Sequence, residues 1–266
     1  MKLRVFQAGK GDALLLTSGS GANILVDAGM PDAFSEYIQP FLAAMTKKGE
    51  ALDLVYVSHI DRDHIGGVVR LLNNILEWRV YDYRSSHGYK VKAPQVPRMP
   101  EVRGIWHNAF SDLIGKNAAA AGDLMAQSAG VLAQSSDPVA LELAIDHQGL
   151  AYSVDDAISV SRRVSADQLG IPLNKEFGGQ LILIRDPPDV EANVGGMKMR
   201  VIGPFSEDVE RLKIDWNQWL RDHQETVAKL RAKAHDDAGK LLENAMPGST
   251  QLDIALKQLG QRGKVT

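Results

Sequence analysis

Four short apolar runs, separated by glycine-rich or polar segments, occupy the first sixty residues of the chain. Each run is apolar almost throughout rather than alternating, which is typical of strands that are covered on both faces. The glycine-rich gap between the second and third runs predicts a hairpin. The predicted strands are residues 3–7, 13–17, 23–27 and 52–58.

Apolar residues at helical spacing predict two helices among these strands. Residues 31–48 have Pro31 at their start, and Lys47, Lys48 and Gly49 follow in the order expected at a helix end. Residues 66–76 are predicted as the second helix, and residues 77–83 as the next strand. Alternating strands and helices indicate an α/β fold.

The pattern changes after residue 108, where alanine-rich segments predict a helical insertion over about residues 108–170. Asp137 and Pro138 mark one helix start within it, and a further helix is expected over 155–164. Strand-like runs return at residues 180–184 and 197–202, and these two runs are expected to pair. A long helix should begin at Ser206, and its Trp and Leu residues at three- and four-residue steps indicate core packing.

Composition narrows the class of protein further. With 266 residues, 44% of them hydrophobic, and a net charge of -3, the chain can bury a real core, and we expect a single domain over residues 1–266. The absence of cysteine excludes disulfides and thiolate metal sites. Neither a signal-peptide core nor a run of about 20 apolar residues is found, so a cytoplasmic protein without a membrane partner is expected.

One segment of the chain is locally basic. Residues 84–103 break the periodic pattern with three prolines, and they set five cations against the single acid Glu101. This segment is interpreted either as a solvated loop or as a loop that borders a cleft and attracts anionic groups such as phosphate. The cations are Arg84, Lys90, Lys92, Arg98 and Arg103.

The strongest chemical signal lies between the fourth strand and the second helix. His59, Asp61, Asp63 and His64 fall within six positions and precede two glycines. Imidazole nitrogens and carboxylate oxygens suit zinc, manganese and iron. His59 and Asp61 would serve one metal position, and Asp63 with His64 a second one nearby, as in a two-metal hydrolase that holds a bridging hydroxide. The alternative is a helix-capping loop whose acids pair with Arg62 or Arg70.

Residues 57–67 resemble the signature of the metallo-β-lactamase-fold hydrolases. Those proteins usually have His-x-His-x-Asp-His, whereas Asp61 stands at the second position here, as in the branch similar to ComEC-type proteins. The segment around Gly11 and Asp12, and the strand that ends at Asp27 before Ala28-Gly29, also match that branch in the right order. Taken without the resemblance, Asp12 and Asp27 could simply make turn hydrogen bonds.

The resemblance implies an αββα sandwich, present here mainly as its first half, and a site that binds two zinc ions, with manganese or iron as alternatives. In that site His59, Asp61, Asp63 and His64 would be the metal ligands, and Asp63 would also act in catalysis as a proton acceptor. Asp12 and Asp27 would support these ligands from behind. The implied activity is hydrolysis of a phosphodiester, ester or amide bond by a metal-bound hydroxide, with an anionic small-molecule or nucleic-acid-like substrate.

The second half of that family adds a Gly-Asp carboxylate after a buried strand and then a His-His-Gly segment. Neither is found in the expected context here, and the remaining histidines do not stand in that pattern. Two hypotheses therefore stay open. The chain is a metal-dependent hydrolase, or it is a binding or assembly module of the same fold that needs a partner chain to supply the missing ligands. The remaining histidines are His87, His107, His147, His223 and His235.

Overall fold

The computed structural model describes residues 1–108, 138–184 and 190–222. The contacts divide the chain into Met1–Trp219 and Leu220–Thr266, and only the first three residues of the second unit are described. Apart from these three residues, which belong to the last described helix, everything that follows concerns the first unit. The predicted alanine-rich helices between residues 109 and 137, together with His223 and His235, lie outside the described residues.

A five-stranded sheet organises the first unit, with its strands in chain order. The first three strands pair antiparallel, and the third, fourth and fifth strands pair parallel. The predicted hairpin between the second and third strands is confirmed by this register. The strands are β1 (Lys2–Val5), β2 (Leu14–Thr17), β3 (Asn23–Val26), β4 (Leu54–Tyr56) and β5 (Ile105–Trp106).

Three helical segments cover one face of this sheet. Helix α1 comprises an α-helical turn (Pro31–Ala33), a π-helical turn (Phe34–Ile38) and an α-helix (Gln39–Lys47). Helix α2 is Arg62–Ser86, and helix α3 is Pro138–Val164. Their buried side chains form one core with Leu15, Leu25, Val55 and Ile105 of the sheet. The predicted α/β class is therefore confirmed, and the helix start at Pro138 is correct.

The opposite face of the sheet packs against a small second sheet. Strands β6 (Glu191–Val194) and β7 (Met197–Arg200) form a hairpin, and Ala192 and Val194 of β6 contact a cluster that includes Ile24, Leu54 and Trp106. Successive residues of a strand point to opposite faces, so β3 and β4 need apolar residues at nearly every position. The prediction of two covered faces is correct for these strands and wrong for β1, whose four residues are all exposed.

Helix α2 overturns the prediction of a strand at residues 77–83. The helix runs through that segment without interruption for 25 residues. Extending an existing helix adds one hydrogen bond per residue, whereas a new strand would first need a pairing partner. The helices predicted separately at residue 138 and over 155–164 are likewise one helix, so His147 lies in a helix interior.

The predicted pairing of residues 180–184 with 197–202 is also wrong. Strand β7 pairs instead with β6 through the two-residue turn Gly195-Gly196, and both of these glycines have positive φ (56° and 80°). A tight hairpin turn of this kind requires positive φ, which glycine adopts without steric cost. Residues 180–184 contribute only the bridge between Ile184 and Phe205.

Helix α4 (Ser206–Asp222) begins where the sequence predicts. Its predicted role in core packing is wrong for Leu212, since this residue is 51% exposed. Among the described residues, no helix combines the length and the apolar character that crossing a bilayer requires.

Candidate metal centre

Three loops meet where β3 and β4 end, and main-chain hydrogen bonds join them. The amide of Ala28 donates to the carbonyl of His64 (3.0 Å), and the amide of Gly29 donates to the carbonyl of Asp12 (3.0 Å). The amide of Gly67 in turn donates to the carbonyl of Gly29 (2.9 Å). Clefts that bind ligands form at the carboxyl ends of parallel strands, and the His/Asp loop therefore lies at such an edge on a fixed backbone frame.

Glycine is required where these loops approach each other most closely. A Cβ atom on Gly11 would lie 1.8 Å from the carbonyl oxygen of Asp63, and one on Gly67 would lie 2.0 Å from the carbonyl oxygen of Ala28. Real Cβ atoms do not come that near to backbone oxygen. Gly11 and Gly67 thus permit the close backbone contacts that position the site.

Asp27 is the buried acid of the site, with only 3% of its surface exposed. Its backbone has φ of 53°, a left-handed conformation that Asp tolerates better than most residues and that turns the chain out of β3. Its Oδ1 accepts the amide of Ser58 (2.8 Å), and its Oδ2 accepts the Ser58 hydroxyl (2.5 Å). Burial, together with the nearby Asp27 charge, raises the pKa of Tyr56.

In both histidines, His59 and His64, a hydrogen bond at Nδ1 fixes the ring and leaves Nε2 as the atom that could bind a metal. The Nδ1 atom of His64 lies 3.0 Å from Oδ2 of Asp27, and because a carboxylate only accepts, Nδ1 carries the proton. The Ser58 hydroxyl already donates to Asp27, so it must accept from Nδ1 of His59 at 2.9 Å. Each Nε2 atom therefore keeps its lone pair, as metal-binding histidines require.

The two acids of the loop lie beside those Nε2 atoms. The Oδ2 atom of Asp61 is 3.6 Å from Nε2 of His59, and the Oδ2 atom of Asp63 is 3.9 Å from Nε2 of His64. Two ligands each about 2 Å from one tetrahedral ion are roughly 3.3 Å apart, so both separations are close to those of ligands sharing an ion. The separations are thus compatible with an ion shared within each pair, and the two-metal pairing stays a prediction.

A search for three potential ligand atoms that all lie close to one another gives a different set of residues. One oxygen of Asp27 and one nitrogen each of His59 and His64 lie within 4.8 Å of one another, and no other such group is found among the described residues. Asp27 is a potential ligand by distance alone. Since its carboxylate already accepts three hydrogen bonds and is almost fully buried, the supporting role suits it better than direct ligation.

The helix-capping interpretation of the loop is not supported. Asp61 is the N-cap residue of α2, but its side chain makes no capping hydrogen bond. The first free amide of the helix, that of Arg62, donates instead to the hydroxyl of Ser153 in α3 (3.0 Å). The Arg62 guanidinium lies 3.8 Å from Asp156 and over the ring of Tyr152. The arginine therefore faces α3 and leaves the loop acids to one another.

Helix α3 is thus part of the site's support, which sequence reasoning missed. Ser153 is 91 residues from Arg62 in the chain, and no local pattern connects the two. Ser58 was also missed, although its position directly before His59 could have indicated it. Burial raises the pKa of Asp156, opposed by the charge of Arg62, so α3 places a perturbed carboxyl group against the arginine that separates Asp61 from Asp63 in the chain.

Replacing Ser153 with alanine should lower the free energy of unfolding by about 1 kcal/mol, because the α2 amide loses its cap. Urea denaturation measures the change. Ser161→Ala is the matched control, since Ser161 also donates to the carbonyl four residues before it but caps no other helix. Equal effects of the two substitutions would contradict the capping role.

Asp12 and His87 do not bring their side chains to the candidate metal ligands. Asp12 contributes its main-chain carbonyl to Gly29, and its side chain is exposed. His87 follows the last turn of α2, where Nδ1 lies 2.7 Å from the carbonyl of Tyr83. A 25-residue helix is about 37 Å long, so His87 and the adjacent basic loop are remote from the site. The other end of the loop reaches the sheet at the N-terminal side of β4, where its last cation pairs with Asp53, so the interpretation that the loop borders the cleft is wrong.

His107 is a buried histidine at the end of β5, with 2% of its surface exposed. Its main chain is held by Asn174, while the Nε2 atom is buried without a hydrogen-bond partner among the described residues. Burial lowers its pKa to about 4, against which a hydrogen bond to the Ala157 main chain acts weakly. His107 is therefore neutral at pH 7, and it is not part of the ligand group around Asp27.

Acidification should destabilise the protein through His107. The unfolded chain takes up this proton near pH 6.5 and the folded chain only near pH 4, so stability falls as the pH drops between those values. The loss from this group between pH 7 and 5 should be about 2 kcal/mol. Urea denaturation across this range should show that the free energy of unfolding depends less on pH in His107→Gln than in the parent. The exposed control His87→Gln should behave like the parent. Identical pH profiles for all three proteins would refute the role of His107.

Comparison with known proteins agrees with this geometry. Residues 7–107 match the model of the metallo-beta-lactamase superfamily, and this range contains all the candidate site residues on the three joined loops. The match covers less than half of the chain, and it does not distinguish the ComEC-type branch, which remains a prediction. The sheet flanked by helices is consistent with the metallo-β-lactamase fold family. Searches of curated proteins and of solved structures find no match.

Proposed function

We propose that the chain is a metal-dependent hydrolase whose ions are held by His59 with Asp61 and by Asp63 with His64. The observation that carries this proposal is the pair of imidazoles fixed through Nδ1, which leaves both Nε2 atoms directed at neighbouring carboxylates. Zinc suits such a donor set best, with manganese or iron as alternatives. Bound divalent ions would lower the pKa of water and stabilise negative charge developing on the substrate.

Residues of the chain would orient the ligands, transfer the proton and admit the substrate. Asp27 and Ser58 orient the imidazoles, and Asp63 would accept a proton from the attacking water, a role that its 30% exposed side chain supports. His59 and Asp61 are about half exposed, so substrate can approach from their side. An ester or phosphodiester is the substrate class proposed. The basic loop no longer favours phosphate, because it lies at the far end of α2.

A second candidate function follows from the number of ligands. Each pair supplies two donors, whereas catalytic zinc sites usually have three protein ligands and water. The Gly-Asp and His-His-Gly segments that the family resemblance leads one to expect are not found in their usual context. A binding or assembly module, completed by a partner chain, would meet the same description.

Metal analysis of the purified full chain separates the two functions. The hydrolase should hold between one and two equivalents of zinc, manganese or iron, and it should cleave bis(p-nitrophenyl) phosphate or p-nitrophenyl acetate in a chelator-sensitive manner. Retention of no metal, with no turnover of either compound after each of the three ions is added, would reject the hydrolase and favour the module.

A further inference from the structure

A groove of about 380 Å³ runs along the outer face of α2 near its C-terminal end. Side chains one helical turn apart on α2 form one wall, and the irregular segment after the helix forms the other. The lining is mainly apolar, with cations at the rim. It consists of Leu76, Glu77, Val80, Tyr81, Arg84, Val91, Lys92 and Pro94.

The surroundings of this groove are strongly positive for a chain of net charge -3. Residues 83–100 contain four cations and no aspartate or glutamate. Arg98 is neutralised, since it binds Asp82 through two hydrogen bonds (2.6 and 2.8 Å) and stacks on Trp78. Arg84, Lys90 and Lys92 are exposed and make no ion pair with the described residues. The groove thus has a net attraction for anions.

Apolar side chains are exposed at the same place. Val80 is 43% exposed, and Tyr83 and Tyr89 are 62% and 64% exposed. Exposed apolar surface of this kind, rimmed by charge, often marks a protein interaction site. Because the floor between Val80 and Val91 is apolar, an occupant should bring an apolar side chain in addition to negative charge.

The main chain of the outer wall is also available. The amides of Lys90, Val91 and Lys92 make no main-chain hydrogen bond within the described residues. An extended peptide can satisfy such amides with its own carbonyls while its side chains enter adjoining pockets. Phosphates of a nucleic acid would reach the cations but would leave the apolar floor unfilled.

We propose that this groove binds an extended, acidic segment of a partner protein, with an apolar side chain between Val80 and Val91 and carboxylates on Arg84 and Lys92. The site is about one length of α2 from the His/Asp loop, so it does not depend on the proposed hydrolase function. It would recruit a partner without blocking the candidate metal centre.

Selection of displayed random dodecapeptides on the immobilised full chain tests the proposal, with counter-selection on the double variant Arg84→Glu, Lys92→Glu. Enriched peptides should combine several acidic residues with one apolar anchor. Synthesised peptides should lose at least tenfold in affinity to Lys92→Glu and to Val80→Asp. Lys47→Glu, which removes an exposed cation at the end of α1, should bind as the parent does.

Several outcomes would overturn the proposal. The selection could yield no peptide that discriminates the parent from the double variant. It could instead enrich basic or uncharged peptides, or yield peptides whose affinity does not change in Lys92→Glu. Tighter binding of a fluorescent 20-nucleotide oligothymidylate through Arg84 and Lys92 would assign the surface to nucleic acid instead. Circular dichroism and metal content, unchanged in every variant, keep this result separate from that for the hydrolase.

Discussion

Replacing His64 with alanine is expected to remove bound metal and to reduce metal-dependent hydrolysis by more than about a hundredfold. His64 is only 12% exposed, and its Nδ1 proton is held by Asp27, so Nε2 is the atom offered to an ion. The substitution deletes that atom and also takes one hydrogen bond from a buried carboxylate. Mass spectrometric metal analysis and the rate of bis(p-nitrophenyl) phosphate cleavage measure the two losses.

Matched variants separate ligand loss from damage to the fold. His59→Ala should give a similar loss of metal with less cost in stability, since this side chain is 46% exposed. Asp27→Asn retains the shape of the support but not its charge, and it should weaken metal binding by roughly ten- to a hundredfold. His87→Ala at the far end of α2 should change neither quantity. Metal content that stays at the parent level in both His59→Ala and His64→Ala would refute the proposed ligands.

Replacing Gly67 with alanine should destabilise the protein by about 3 kcal/mol, although alanine is the better helix former. The new Cβ would lie 2.0 Å from the carbonyl oxygen of Ala28, which is main chain and cannot rotate away. Relief requires the loop at Ala28 to move from α2, and that loop carries Asp27. Urea denaturation should therefore show lower stability, and metal content should fall with it.

Gly149→Ala is the control for this change. Gly149 also lies inside a helix, but a Cβ there meets nothing within 4 Å. The substitution should leave stability unchanged or raise it by up to about 1 kcal/mol. A Gly67→Ala protein as stable as the Gly149→Ala protein would mean that the loops are not as closely joined as the structure indicates.

Local signals were sufficient for much of the first half of the fold. Each apolar run that precedes His59 corresponds to a strand within two or three residues of its predicted bounds, because both faces of β3 and β4 are buried and leave little freedom in composition. The candidate metal-binding motif is recognisable because its residues are also close together in the sequence. Its donors lie within six consecutive residues at the start of α2, and the glycines at 66 and 67 are required where α2 approaches Ala28 and Pro31.

Errors arose where a choice depended on a distant partner. Residues 77–83 have side chains suited to a strand, yet α2 continues through them because the sheet already has its five strands in order elsewhere. The partner predicted for residues 197–202 is wrong because the tight turn at Gly195-Gly196 pairs them with the segment directly before it rather than with the more apolar run at 180–184. The sequence leaves open whether the basic loop is solvated or borders the cleft, because it does not state which end of a helix faces the site.

The sequence by itself determined the α/β class, and it predicts His59, Asp61, Asp63 and His64 as donors and Asp27 as their support, since each of these signals lies within a short segment of the chain. Only the tertiary structure decided how the donors are held. Ser58 and Asp27 set the protonation of the imidazoles, and Ser153 caps α2 from 91 residues away. Hydrogen bonds between remote segments have no periodicity in sequence, and they form only when burial in the common core brings the segments together.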